Sequence, residues 1–243
     1  MSPGQYAFVG IAVLFAATIQ TMTGFGFSLF AVPIMSMVIP TEWAVVIAAT
    51  LSTFTSGGQA WTEREHRDTP TVRRIVLAAL VGMPLGLVVL NVASSHQLKI
   101  GLAIVIVAFL IINLKGIKLE KASTPVDLTA GFVAGVLSTS LSTNGPPLAM
   151  ALHARHLTPS VFRGTIASIL VLISAVSLVL FGITGHYTTD IGWALLIVTP
   201  AMVLGFFIGH RLRTGIDQAA FRHLVTILLG ITAVVTFVSA VVS

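Results

Sequence analysis

The sequence contains no cysteine and very few charged residues. The lack of cysteine excludes disulfide bonds, thiolate chemistry and metal sites with cysteine ligands. Asp, Glu, Lys and Arg together make up 9% of the 243 residues, whereas soluble globular domains carry about 25%. This composition excludes a soluble domain.

The chain is strongly apolar, with 56% hydrophobic residues and a mean hydropathy of +1.00. Apolar runs of roughly 18 to 21 residues recur along the chain, and each could cross about 30 Å of hydrocarbon as a helix. We therefore predict an all-α polytopic membrane protein. The net charge of +5 comes from Lys and Arg at segment ends, which indicates membrane topology and no nucleic-acid partner. The predicted segments are 5–22, 26–39, 43–61, 72–91, 98–115, 127–142, 146–158, 163–183, 190–210 and 220–242.

Two stretches of glycine and small polar residues interrupt these apolar runs. Glycine permits a break in a helix, and proline suits the first turn of a new helix. Each stretch therefore predicts a helix end, a short turn and a helix start. The two stretches are Thr21-Met22-Thr23-Gly24-Phe25-Gly26-Phe27-Ser28 and Ser140-Leu141-Ser142-Thr143-Asn144-Gly145-Pro146-Pro147.

The second half of the chain echoes the first. We predict two transmembrane repeats, residues 1–121 and 122–243, each of about five helical segments. The alternative is that Gly-x-x-x-Gly recurs by chance in membrane helices, where small residues allow close packing. The matching positions are Gly26 with Gly145, Pro40 with Pro159, Gly82 and Gly86 with Gly205 and Gly209, and Leu98-Lys99 with Phe221-Arg222.

Loop charge predicts that the repeats are inverted. The basic loop from Arg64 to Arg74 should be cytoplasmic, whereas its counterpart at 183–190 has no Lys or Arg and should face outward. Both termini are then periplasmic, and each repeat opens with a broken or re-entrant hairpin. The arms 26–39 and 146–158 measure roughly 20 Å at 1.5 Å per residue, which is short for a span. Two such tips meeting near the midplane are typical of a secondary transporter's substrate site.

The predicted tips have the chemistry of an anion site. Each second arm begins at its tip, so free N–H groups and the positive end of the helix dipole point into the site. We expect no Asp, Glu, Lys or Arg in the membrane segments, so neutral dipoles would recognise the anion. Alternatively, the hydroxyl groups only satisfy backbone groups at the helix breaks. The candidate substrate-binding residues are Thr21, Thr23, Gly24, Gly26, Phe27, Ser28, Ser140, Ser142, Thr143, Asn144, Gly145 and Pro146.

These motifs resemble the sulfite exporter TauE/SafE family over nearly the whole chain. The resemblance implies a transporter that moves sulfite or organosulfonates such as sulfoacetate across the bacterial inner membrane. Phe27 and Ser28 stand where many relatives carry further glycine. The motifs are Gly24-Phe25-Gly26 followed by Pro33, Asn144-Gly145-Pro146-Pro147, Gly82-Pro84-Gly86 and Gly205-Gly209-Arg211.

Two other classes of function stay open at this point. A passive anion channel would share the polar tips. An integral-membrane enzyme acting on lipid needs an acid, base or nucleophile within the membrane. We expect no such group inside the membrane and therefore no enzyme activity. His153, Arg155 and His156 are interpreted as a wet interfacial cluster. No metal or cofactor is expected; the partners are the small anion and the lipid bilayer, and a homodimer is left open.

Overall fold

The computed structural model describes residues 1–115 and 122–212, together with Gly230. Within these residues all regular structure is helical, and five helices are long and apolar enough to cross a membrane. The prediction of an all-α polytopic membrane protein is thus confirmed for this part of the chain. The predicted segment 220–242 lies outside the described residues, apart from Gly230. The helices are α1 (Pro3–Thr23), α2 (Phe27–Met35), α3 (Thr41–Thr62), α4 (Thr69–Val92), α5 (Ser95–Leu114), α6 (Thr124–Leu141), α7 (Gly145–His153), α8 (Pro159–Ile183) and α9 (Thr189–Leu212).

Helices α1 and α2 form the first hairpin. Ser2 and Gln5 make a capping box that starts α1, with Pro3 in the first turn. The side-chain nitrogen Nε2 of Gln5 also donates to the carbonyl oxygen of Val38, at 2.7 Å. Since Val38 follows α2, the start of α1 and the end of the α2 segment lie side by side.

Helices α6 and α7 form the second hairpin in the same manner. The Ser123 side chain caps α6 by accepting from the Val126 N–H. Asp127, in the first turn of α6, pairs with Arg155, which follows α7. The segment that enters the bundle and the segment that leaves it therefore lie together here as well.

The short arms α2 and α7 are each 9 residues long, about 13 Å at 1.5 Å per residue. They are shorter than the arms predicted at 26–39 and 146–158. After α2 the Met37 N–H bonds to the carbonyl of Ile34, a tight turn that replaces the α-helical pattern. After α7 the His156 N–H bonds to the carbonyl of His153, and His156 has φ of +50°. Apolar residues continue past α2 to Ile39, so the hydropathy pattern did not reveal where α2 ends.

Helices α3 and α8 run antiparallel, and their contacts show how the two hairpins are oriented relative to each other. Glu63 at the end of α3 pairs with Arg163 in the first turns of α8, at 3.2 Å. Thr50, earlier on α3, bonds to Tyr187, which follows α8. The open end of the first hairpin lies beside the start of α3. The open end of the second hairpin lies beside the start of α8. Because α3 and α8 are antiparallel, the second hairpin opens near the end of α3.

Helices α4 and α6 pack at backbone contact distance through glycine. A Cβ atom added at Gly86 would lie 2.0 Å from the Val136 carbonyl oxygen. One added at Gly135 would lie 2.1 Å from the Ala79 carbonyl oxygen. Small residues at membrane helix interfaces permit such approach because no side chain separates the backbones.

Helices α1 and α9 also pack closely through glycine. A Cβ atom at Gly205 would lie 2.4 Å from the Leu14 carbonyl oxygen, and one at Gly209 would lie 2.6 Å from that of Thr18. The Thr18 hydroxyl also lies 3.2 Å from the carbonyl oxygen of Gly205. Gly205 and Gly209 thus bring α9 against α1, as Gly86 brings α4 against α6.

The arms α2 and α7 lie in the interior of the bundle. Phe27, Phe30 and Met35 of α2 and Leu148 of α7 are fully buried. Irregular backbone can exist at membrane depth when it is enclosed by protein, and the surrounding helices provide that enclosure. The exposed apolar side chains are instead spread over the long helices, for example Val81, Leu85 and Val88 on α4, Ile104 on α5, and Leu196 and Phe207 on α9.

We expect Gly135→Ala to destabilise the protein by roughly 1 to 3 kcal/mol, because its methyl group would overlap the backbone of α4. Thermal unfolding of the purified protein in detergent measures this. Gly192→Ala is the matched control, since nothing lies within 4 Å of a Cβ at that helical position. Equal melting temperatures for the two variants would contradict the close approach of α4 and α6.

Candidate functional site

The first helix break lies between α1 and α2 and is built on two glycines. Gly24 has φ of +92° and Gly26 has φ of +98°, which is the left-handed region that only glycine enters at little cost. The Thr23 hydroxyl lies within hydrogen-bond distance of the Phe25 carbonyl, and the Phe25 N–H donates to Thr23 at 3.2 Å. These local bonds hold the turn, and α2 begins directly after it.

The second break, between α6 and α7, uses a serine where the first uses glycine. Ser142 has φ of +56°, a conformation that is uncommon for residues with a side chain. The Thr143 N–H donates back to the Leu137 carbonyl at 3.1 Å, which closes the end of α6. Backbone strain of this kind clusters at functional sites, where the surrounding structure maintains it.

The two breaks are in contact with each other. The hydroxyl oxygens of Ser28 and Ser142 lie 2.8 Å apart, in one buried hydrogen bond between residues far apart in sequence. The Phe25 ring covers Gly145, where an added Cβ atom would lie 2.9 Å from the ring. The bundle thus brings the start of α2 and the start of α7 to one place.

A small cavity of about 20 Å³ lies where the breaks meet. Its walls come from α1, α2, α3, α7, α8 and the second break. Most of the predicted substrate-binding residues line it, namely Gly26, Phe27, Ser28, Ser142, Thr143, Asn144, Gly145 and Pro146.

The remaining candidates do not line this cavity. Thr21 donates to the carbonyl of Ala17 on its own helix and packs towards α9. Thr23 belongs to the turn, and Gly24 packs against side chains of α8. Ser140 lines a separate, mostly apolar crevice beside α4 and α5. These residues shape the helix breaks or their packing.

Several lining residues were not predicted from the sequence. Gln20, Ser52 and Ser56 supply polar walls, and Leu29 and Leu170 supply apolar ones. Ser52 and Ser56 lie four residues apart on α3 and so share one helix face. A signal was available, because Ser52, Ser56 and nearby polar residues form a stripe in an otherwise apolar helix, and Gln20 is a lone amide one turn before the first break.

The donors at the cavity are neutral. The N–H groups of Phe27, Ser28 and Leu29, in the first turn of α2, have no intrahelical acceptor, and none is found among the described residues. The second tip offers fewer backbone donors than we expected, because Pro146 and Pro147 have no N–H group. No ionisable side chain belongs to the described lining of the cavity.

Hydrogen bonds that involve side chains of α6 and α8 position the Asn144 side chain. Its nitrogen Nδ2 donates to the Ser138 hydroxyl at 3.2 Å, and the Ser138 and Ser177 hydroxyls lie 2.9 Å apart. One of the two amide protons of Asn144 is engaged in this chain, which leaves the other for the cavity. The position of Asn144 thus depends on α8 as well as on α6.

Charged residues lie at the end of the bundle where the second hairpin opens. Asp127 is fully buried; Arg74 Nε lies 3.0 Å from its Oδ2, and Arg155 also pairs with that oxygen. Arg155 further lies 3.8 Å from Asp68. Among the described residues Asp127 Oδ1 has no hydrogen-bond partner. The expectation that the membrane segments carry no charge is therefore wrong at the start of segment 127–142, where pairing with Arg74 and Arg155 allows the Asp127 carboxylate to be buried.

Tyr187 approaches the bundle from the opposite end of α3. Its hydroxyl lies 2.8 Å from that of Thr50, which precedes the lining residue Ser52 on the same helix. Burial raises the pKa of Tyr187 above its ordinary value, and the hydrogen bond with Thr50 acts in the opposite direction. Tyr187 therefore stays neutral at physiological pH. Its hydroxyl connects the loop between α8 and α9 to the buried part of α3.

Comparison with known proteins identifies the family. Residues 9–236 match the family described as sulfite exporter TauE/SafE, so the chain belongs to that family. It is 25% identical over 240 residues to a probable sulfite/organosulfonate exporter TauE from Cupriavidus necator, across 95% of this chain and 91% of the relative. No solved structure matches the chain.

The contact between the breaks can be tested by cross-linking, because the native chain has no cysteine. We expect Ser28→Cys with Ser142→Cys to form a disulfide on mild oxidation, since the serine hydroxyls are 2.8 Å apart. Loss of both free thiols, counted by maleimide labelling and mass, measures it. The pair Ser28→Cys with Ser140→Cys is the control and should stay reduced. Two unreacted thiols in the first pair would show that the breaks do not meet.

Proposed function

We propose that this chain is a secondary transporter that exports small sulfur-containing anions, sulfite or an organosulfonate such as sulfoacetate, across the bacterial inner membrane. The observation that carries the proposal is the meeting of two helix breaks at Ser28 and Ser142 around a buried, polar and uncharged cavity. Membership of an exporter family supports the class of substrate. The name of the Cupriavidus necator relative supports it as well.

Anion binding follows from the donors that surround the cavity. The positive end of the α2 dipole and the free N–H groups of its first turn favour negative charge. The Asn144 amide adds a donor, and the bonded pair of Ser28 and Ser142 adds one hydroxyl proton, because one of the two hydroxyls donates to the other. In a low-dielectric site such donors interact strongly with an anion, because water does not screen them. The absence of a lining carboxylate avoids repulsion of the substrate.

We further propose that residues 1–121 and 122–243 are inverted repeats and that transport occurs by alternating access. Helix α1 packs on α9 and α6 packs on α4 through glycines at matching sequence positions. The hairpins have their ends beside opposite ends of α3. Broken helices at the interface of inverted repeats are typical of secondary transporters, in which the repeats move about a central site.

The proposed orientation places both termini in the periplasm. The loop that carries Arg64 and Arg67, and the buried cluster around Asp127, then lie on the cytoplasmic side. Tyr187 lies on the periplasmic side. Asp127 on α6 pairs with Arg74 on α4 and with Arg155 after α7, so these ion pairs connect the two halves at the cytoplasmic end.

We expect Asn144→Ala to weaken sulfite binding by about 10-fold or more, which is the typical value of one hydrogen bond to a charged group. Isothermal titration with oxygen-free sulfite measures the affinity, and counterflow in proteoliposomes measures transport. Asn91→Ala on α4 is the matched control, because Asn91 is exposed and does not line the cavity. Unchanged sulfite affinity in a folded Asn144→Ala protein would place the site elsewhere. Flux without counterflow would favour a channel.

Single cysteines test the orientation, with the cysteine-free native chain as the background. We expect cysteines at Ser2 and Thr184 to react with an impermeant thiol reagent on intact cells. Cysteines at Thr69 and Thr124 should react only after the membrane is permeabilised. All four positions are exposed, so accessibility depends on the side of the membrane. Labelling of Thr69→Cys on intact cells would overturn the orientation.

A further inference from the structure

A separate polar wall of the cavity comes from α1 and α3. Gln20 is 1% exposed, Ser56 is 1% exposed and Ser52 is 8% exposed, and all three line the cavity. Buried amide and hydroxyl groups need hydrogen-bond partners. Gln20, Ser52 and Ser56 thus place buried polar groups beside the two helix breaks.

The structure holds the Gln20 amide in one orientation. Its oxygen Oε1 accepts from the Thr55 hydroxyl at 2.6 Å, and its nitrogen Nε2 donates to the Ser56 hydroxyl at 2.7 Å. Gln59 Nε2 in turn donates to the Gln20 and Thr21 carbonyls at 3.0 and 3.1 Å, which secures the backbone there. Gln20 is thus positioned from both its side chain and its backbone.

This arrangement leaves donors available at the cavity. The Gln20 amide nitrogen has two N–H groups, of which one is bonded to Ser56. The Ser56 hydroxyl accepts from Gln20, and no acceptor for its own proton is found among the described residues. A donor that is fixed before the substrate arrives costs no reorganisation on binding.

We propose that Gln20, oriented by Thr55 and supported by Ser56, binds the third oxygen of a sulfite or sulfonate group and so selects these anions over carboxylates. This inference rests on the proposed function, because it assigns a specificity-determining residue to the same site. The hydroxyls of Ser28 and Ser142 are bonded to each other, so the two helix breaks form one adjoining group of donors. Gln20 and Ser56 form a second group, on other helices.

Carboxylates and sulfonates differ in shape, so they use the donors at the helix breaks and the donors Gln20 and Ser56 differently. A carboxylate has two oxygens in one plane, and the donors of the helix breaks can satisfy both. A sulfite or sulfonate group has three oxygens in a pyramid, so one oxygen is left for a donor from another wall. A carboxylate would leave the Gln20 N–H group unpaired in a buried site, and such an unpaired group is a strong source of discrimination.

Methanesulfonate and acetate test this directly, because both are methyl-bearing monoanions that differ in the third oxygen. Their affinities are measured by titration on the purified full-length protein, with sulfite titrated in parallel. We expect wild-type protein to prefer methanesulfonate. In Gln20→Met we expect methanesulfonate and sulfite affinity to fall about 10-fold to 100-fold, with acetate affinity changed by less than about 3-fold. Ser56→Ala should change the preference in the same direction.

The controls separate this inference from the proposed function. Gln97→Met makes the same chemical change at an exposed position outside this cavity and should leave the preference intact. If wild-type protein binds sulfite and Asn144→Ala weakens it, but folded Gln20→Met and Ser56→Ala keep the methanesulfonate preference, the role of Gln20 is overturned and the proposed function stands. An equal loss for both anions would also overturn it. If the wild-type protein binds none of these sulfur anions, the proposed function itself fails.

Discussion

The structure depends on how two helices can break inside a membrane bundle without leaving backbone groups unpaired. Each unpaired N–H or C=O group in an apolar environment costs several kcal/mol. At the end of α1 the Gln59 amide satisfies the carbonyls of Gln20 and Thr21. At the end of α6 the Thr143 N–H and hydroxyl bond to the carbonyls of Leu137 and Leu141. The polar residues near the breaks are therefore required by the backbone itself.

The polar groups near the breaks also line the cavity. The breaks lie against each other because α2 and α7 are short and enclosed by the long helices. The first turn of α2 cannot satisfy its own N–H groups, so unpaired donors remain where the breaks meet. Ser52 and Ser56 on α3 complete a wall that neither break provides. Neighbouring hydroxyls differ in position, because Ser142 lines this cavity whereas Ser140 lines a separate crevice.

Close helix packing provides the rigid frame around this cavity. Gly86 and Gly135 bring α4 and α6 to backbone contact, and Gly205 and Gly209 do so for α9 and α1. Between hydrocarbon tails and apolar side chains there is little hydrophobic difference, so membrane helices associate through such close contacts and through hydrogen bonds. Among the described residues the buried charged side chains are Asp127, which pairs with two arginines, and Glu63, which pairs with Arg163.

The sequence alone determined the membrane class, the two helix breaks and most cavity residues, because glycine, proline and hydropathy act locally along the chain. It did not reveal where α2 ends, since apolar residues continue to Ile39. Tertiary structure alone decided that Gln20 and Ser56 face the cavity while Thr21 and Ser140 face elsewhere. It also decided that Asp127 is buried. In a helix the orientation of a side chain follows from which neighbours pack on each face, and those neighbours come from distant parts of the chain.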